Sequence, residues 1–245
     1  MPTSPQPSVA LISHGTASPE GQRVIEALAA AVTVDLRQRG IAEEVMLGHV
    51  DVQTPDVAEV LSALPADRPV ILVPLLLSPG YHVHVDLTEA LTAAGATGQP
   101  GARDIRMSPT LGPDPRLARI LADRLPELHE DDHVVLAAAG SSDERANLAC
   151  LELADSLADE LDRTVATGFH AGGGARLADI VEQKRALGGR VVLSSYLLAP
   201  GFFQDLAQRI IADSDDVLTL PLLHEGTGTP PLLVDIARDR VLTSL

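Results

Sequence analysis

The chain is written twice. "VALISHGTAS" at residues 9–18 is answered by "VVLAAAGSSD" at 134–143, each an apolar run that stops at a turn of small residues. "VMLGHVDVQTPDVAEVL" at 45–61 returns more loosely as "VATGFHAGGGARLADIV" at 165–181. "RPVILVPLLLSPGYHVHVDL" at 68–87 aligns with "GRVVLSSYLLAPGFFQDL" at 189–206, and the two share Leu-Leu-x-Pro-Gly. "SPTLGPDPRLARILADRL" is echoed by "LPLLHEGTGTPPLLVDIARDRV" near the end of the chain. Matching segments in the same order identify an internal duplication, so any fold assigned here must be built twice.

Within each half, short β-branched runs alternate with longer segments of helical period, the pattern of an α/β protein with parallel sheets. The expected architecture is two similar domains, each a parallel sheet flanked by helices, facing each other across a cleft. In the first half the predicted strands are Val9–Ser13, Glu44–Val50, Val70–Leu77 and Asp104–Ser108. The predicted helices lie near Gly21–Gly40, Pro55–Leu64, Val85–Ala94 and Pro115–Leu125. The acidic stretch Glu127–Asp132 reads as a linker, which gives an N-terminal domain over 8–126 and a degenerate repeat over 132–245.

Composition removes several classes of function. Aromatics make up 2% of the chain, Trp is absent and the formal charge is −16, so neither base stacking nor phosphate attraction is available and nucleic acid is not an expected partner. Cys150 is the single cysteine, which excludes an intrachain disulfide and a four-cysteine zinc site and fits a cytosolic protein. The first eight residues lack the basic and apolar regions of a signal peptide. No apolar run approaches the roughly 20 residues that span a bilayer. A soluble, cytoplasmic protein with no membrane partner is expected.

The duplication also acts as an internal control. Gly15 recurs as Gly140, and Pro79-Gly80 as Pro200-Gly201, as framework turns should. The histidines do not recur: His14 is matched by Ala139 and His82 by Phe203. In an open parallel sheet, ligands bind beyond the carboxyl ends of the strands. His14, Asp51 and His82 fall there, after the first, second and third strands. Two imidazoles and a carboxylate suit a borderline divalent ion such as Fe²⁺, Co²⁺, Ni²⁺ or Zn²⁺, and three protein ligands leave coordination positions open.

Neighbouring residues are open to two readings. His84 shares a face with His82 if that stretch stays extended, and diverges from it if a helix has begun. His49 is either a buried, hydrogen-bonded histidine or an auxiliary ligand. Asp86 caps the following helix or orients His82. His129, His133 and His170 have no matching partners and read as surface or loop residues. With Lys184 the only lysine, basic contacts to an anionic ligand must come mostly from arginine. Arg145 and Arg176 are the candidates, beside the run Gly172-Gly173-Gly174, whose amides could also receive carboxylates. The competing reading is a flexible loop with ordinary surface arginines. Phe202 and Phe203 offer a flat apolar wall, or else core packing.

With "LISHGT", "GHVDVQTPDV" and "VPLLLSPGYHVHVDL" in this order, the sequence resembles the class II tetrapyrrole chelatases, which insert Fe²⁺ or Co²⁺ into sirohydrochlorin. The resemblance covers nearly the whole chain, duplication included. Members of that family are single units acting as homodimers or two fused units, and the second form implies a monomer here. The resemblance implies that His14 and His82 bind metal or accept pyrrole protons. Asp51 stands where the family commonly has glutamate, an arm one methylene longer. His49 takes a position usually aromatic or apolar, and Thr16-Ala17-Ser18 offers no basic residue where the family often has one. The implied substrates are sirohydrochlorin and a divalent metal (Fe²⁺, Co²⁺ or Ni²⁺), in siroheme or cobalamin-type biosynthesis, with no organic cofactor. The alternative is a non-catalytic metal- or tetrapyrrole-binding carrier, favoured if glutamate is essential for turnover. A hydrolase built on Ser13-His14-Gly15 is a weaker reading, because neither arginines nor a metal pair accompany that motif.

Overall fold

Ser8–Ser13 (β1) is buried at all six positions, as a strand covered on both faces of a parallel sheet must be. The computed structural model describes residues 6–78, 80, 87–89, 91–92 and 103–245. After β1 come α1 (Pro19–Gln38), β2 (Val45–His49), α2 (Val57–Ala63), β3 (Val70–Pro74) and β4 (Ile105–Met107). Residues 87–89 and 91–92 are also helical. The strands form a parallel sheet in the order β2-β1-β3-β4.

The second set is α3 (Pro115–Ala122), β5 (His133–Ala138), α4 (Glu144–Leu161), β6 (Val165–Phe169), α5 (Leu177–Arg185), β7 (Val191–Tyr196), α6 (Phe202–Ile211) and β8 (Val217–Leu218). Its parallel sheet has the order β6-β5-β7-β8, and α7 (Pro231–Leu242) closes the chain. The duplication extends to register. Ser13 lies opposite His49 in the first sheet, as Ala138 lies opposite Phe169 in the second.

Local chemistry sets the helix starts. Ser18 caps α1 by accepting from the Gly21 N–H at 3.2 Å, with Pro19 at the first helical position. Asp56 and Glu59 form a reciprocal capping box on α2. In α1 the buried residues Gly21, Val24, Ile25, Leu28, Ala29, Val32 and Leu36 recur at three- and four-residue spacing, one stripe of the helix. On the other face of the first sheet, Ala10, Ile12, Val70 and Leu72 pack with Val57, Val60 and Leu61 of α2 and with Leu87. Val135, Ala137, Val191 and Leu193 repeat this in the second sheet, against α5 and α6.

Two details differ from the sequence reading. β3 ends at Pro74 rather than Leu77. Pro74 brings no N–H to the ladder, and the apolar run continues as irregular chain that an alternation pattern cannot separate from strand. The second difference concerns the compact units, which do not coincide with the sequence halves 8–126 and 132–245. Unit 1 comprises Met1–Leu111 with Leu233–Leu245, and unit 2 comprises Gly112–Leu232. Each repeat therefore gives its last helix to the other unit. In unit 2 the Arg124 guanidinium donates to the Pro221 and Leu222 carbonyls at 2.6 and 2.7 Å. In unit 1 Arg240 donates to the Thr110 and Leu111 carbonyls at 2.7 and 2.9 Å. Also in unit 1, Arg238 of α7 lies 3.4 Å from Asp35 of α1.

Candidate functional site

The β1–β2 pairing runs one rung past the strands. The Val50 N–H donates to the Ser13 carbonyl at 2.9 Å and the Asp51 N–H to the His14 carbonyl at 3.0 Å. His14 and Asp51, which are 37 positions apart in sequence, thus become neighbours at the carboxyl edge of the unit 1 sheet, both exposed. Gly15 makes this closeness possible. Its φ is +93°, and a Cβ there would lie 1.9 Å from the Asp51 carbonyl oxygen, so only glycine fits the turn. The Asp51 carboxylate accepts from the Val52 N–H at 2.7 Å. Gln53 reaches back to accept from the Thr16 N–H at 2.9 Å, which ties the loop after β2 to the loop after β1.

His49 lies under this edge. It is 4% exposed, and its Nδ1 is 2.8 Å from the Oγ of Ser13, itself 3% exposed. Burial lowers the imidazole's pKa, opposed in part by Glu26 of α1, which disfavours the charged ring. Met46 and Val50 pack with the α2 face of the sheet. Strand alternation puts Ser13 and His49 on the opposite face.

Among the described residues, no group of three His, Cys, Asp or Glu side chains is placed to hold a metal ion. His82, His84 and Asp86, which the sequence adds to this edge, lie outside the described residues.

Unit 2 has the same framework with different side chains. The Ala171 N–H donates to the Ala139 carbonyl at 3.0 Å, and Gly140, at φ +82°, would place a Cβ 2.0 Å from the Ala171 carbonyl oxygen. The positions of His14 and Asp51 are thus occupied by alanines in the same hydrogen bond. Phe203, in the place of His82, stacks on His170 with ring centroids 5.4 Å apart and planes 26° from parallel. Phe202 meets Phe203 edge-on at 5.5 Å and is 70% exposed. His170 is therefore not a plain surface or loop residue. It is half-buried, both ring nitrogens are shielded without a hydrogen-bond partner, and burial lowers its pKa. The signal that could have found it was its place beside Phe169 in the repeat of "GHVD".

Arg145 lies 2.9 Å from the carboxylate of Asp143, the residue that caps α4, so its charge is offset locally. Arg176 is exposed at the start of α5, where its counterpart in unit 1 is Asp56. The glycine run is anchored. The Gly173 N–H donates to the Ser141 carbonyl at 3.0 Å, and the Asn147 amide donates to the Ser141 and Gly173 carbonyls at 2.9 and 3.1 Å. No described helix is long and apolar enough to cross a membrane.

Residues 8–128 match the sequence model of the CbiX family. A sirohydrochlorin cobaltochelatase of Methanothermobacter thermautotrophicus is 27% identical over 136 residues, covering 49% of this chain and 92% of that protein. Over 98% of this chain and 95% of theirs, two Bacillus subtilis SirB structures share the fold at 19% identity. The one with Fe³⁺ has a TM-score of 0.79, and the complex with cobalt, from subspecies spizizenii, has 0.76. The CbiX match over residues 8–128 and the fold shared with the SirB structures over nearly the whole length bear out the resemblance to class II tetrapyrrole chelatases.

Proposed function

We propose that this protein inserts a divalent metal, Fe²⁺ or Co²⁺, into sirohydrochlorin. The observation that carries the reading is the asymmetry of two otherwise matching strand edges. Unit 1 keeps His14 and Asp51 on either side of one backbone hydrogen bond, and unit 2 puts Ala139 and Ala171 there. A framework role is met by alanine, so the polar pair is kept for chemistry. The family relationship gives that chemistry its class.

Metalation exchanges two pyrrole N–H protons for one divalent cation. Histidine serves both halves of the exchange near neutral pH, as a donor to metal when neutral and as a proton acceptor. In this reading His14 and His82 hold the metal or accept the protons, and Asp51 balances the cation's charge. A site with few donors releases its ion readily, as delivery to a ring requires. Arg176 carries no ion pair among the described residues and is the cation assigned to the substrate's carboxylates; Arg145, shared with Asp143, is secondary. The exposed Phe202 and its neighbour Phe203 offer the macrocycle an apolar face.

The test follows the absorbance spectrum of sirohydrochlorin anaerobically with Fe²⁺, Co²⁺ or Ni²⁺. The wild type is expected to accelerate insertion, and His14→Ala and His82→Ala to lose at least about a hundredfold in rate. The faster metal identifies the preferred ion. Binding of sirohydrochlorin with no acceleration over the protein-free reaction would replace the enzyme with a carrier.

A further inference from the structure

Four side chains at the strand edge of unit 1 are polar where unit 2 has apolar ones. Unit 1 has Ser13, His14, His49 and Asp51, and unit 2 has Ala138, Ala139, Phe169 and Ala171. His14 and Asp51 are accounted for by the metal reading. Ser13 and His49 are not, since they are buried and face away from the α2 side of the sheet.

Burying an imidazole and a hydroxyl is unfavourable unless they satisfy each other, and the apolar pair at the same register in unit 2 avoids that burden. The fold therefore does not require the polar pair. What it adds is direction: a hydrogen bond at 2.8 Å fixes distance and angle, whereas apolar contact is non-directional. The bond crosses from β1 to β2 at the last paired rung, and the next residue on β1 is His14, with Asp51 two beyond His49. A Cβ on Gly15 would also lie 3.6 Å from the His49 Cβ, so the imidazole stem lies against the turn that carries His14.

We propose that Ser13 and His49 are a positioning pair whose side-chain hydrogen bond fixes the spacing of the strand ends bearing His14 and Asp51, and so holds those donors ready for a divalent cation. This rests on the metal-inserting reading. The pair touches neither cation nor tetrapyrrole; it acts through the backbone of its neighbours.

The test is calorimetric titration of the full-length protein with Co²⁺, for the wild type, Ser13→Ala, Ser13→Thr, His49→Phe and the double variant Ser13→Ala/His49→Phe, which installs the pair unit 2 already uses. Either single loss is expected to weaken Co²⁺ binding about tenfold. The double variant should weaken it no further, because both changes break one bond. Ser13→Thr, which keeps the hydroxyl, should bind like the wild type. In turnover the apparent KM for metal should rise while that for sirohydrochlorin stays unchanged, a split that general destabilisation does not produce. Wild-type affinity in Ser13→Ala, the smallest of the changes, overturns the pair's role even if the double variant fails to fold. Independent, additive losses overturn it as well. A wild type that binds no Co²⁺ overturns the metal reading together with the pair.

Discussion

Val52 holds a backbone φ of +68°, a region where a β-branched side chain crowds its own backbone. Its counterpart in unit 2, Gly172, holds +74° without that conflict. Val52 is 60% exposed, so packing does not compensate; its N–H is bonded to the Asp51 carboxylate, beside the proposed donors. Strain of this kind costs about 1–2 kcal/mol. Val52→Gly is therefore expected to raise stability by about 1 kcal/mol in urea unfolding, after allowance for glycine's freedom in the unfolded chain. Unchanged or lower stability would show that the loop is not strained. At this scale the sequence was informative where the repeats disagreed: His14 against Ala139 and His82 against Phe203 stood out from the alignment. The Ser13–His49 bond did not, because alternation puts two residues on one face without saying that they are opposite each other. Nor did the left-handed Val52, for which the only hint was a glycine in the other copy.

Among elements, β5 and β7 start from an ion pair. Asp132, just before β5, is bound by Arg190, just before β7, through contacts of 2.5 and 3.0 Å, with the carboxylate side chain 2% exposed. The Arg190 hydrogen bond, aided by the His129 N–H, holds the Asp132 carboxyl below its ordinary pKa in spite of burial. A carboxylate with a depressed folded pKa binds fewer protons in the fold than in the unfolded chain. Its contribution is therefore complete above the ordinary carboxylate pKa, near about 4, and is lost as pH falls from there through the lower folded value. Asp132→Asn should flatten that part of the acid limb in thermal melts taken from pH 6 to 2. Arg190→Ala, which leaves a buried carboxylate unpaired, should cost about 3 kcal/mol at neutral pH. An acid limb identical to the wild type's in Asp132→Asn would remove the pair from the account. The strand and helix succession itself was legible because the repeat showed each element twice. The end of β3 was not, since Val70 to Leu77 is apolar whether paired or coiled.

For the whole molecule, the duplication was legible and the extent of the compact units was not. Sequence similarity follows descent, and compactness follows packing. Here the two diverge because α3 and α7 each belong with the other repeat's strands. The family match at 8–128 thus contains α3, which belongs to unit 2, and lacks α7. A chain cut after residue 128 loses the burial of Leu233, Ile236, Ala237 and Val241. The larger three of these contribute about 2 kcal/mol each, comparable to the entire stability of an ordinary domain. That fragment is expected to show no cooperative melt by circular dichroism. Residues 1–111 joined through a short flexible linker to 231–245 should melt cooperatively. A two-state melt of the 1–128 fragment alone would make α7 dispensable.

The return of the chain to unit 1 near Leu233 also sets a schedule for its synthesis. His14 and Asp51 are synthesised well before Leu233–Leu245, the segment that completes the unit carrying them. At about 5–20 residues per second, on the order of ten seconds separate the two events. Throughout that interval unit 1 lacks its closing helix, so a nascent chain does not present the finished strand edge that carries His14 and Asp51 until residues 233–245 have been made.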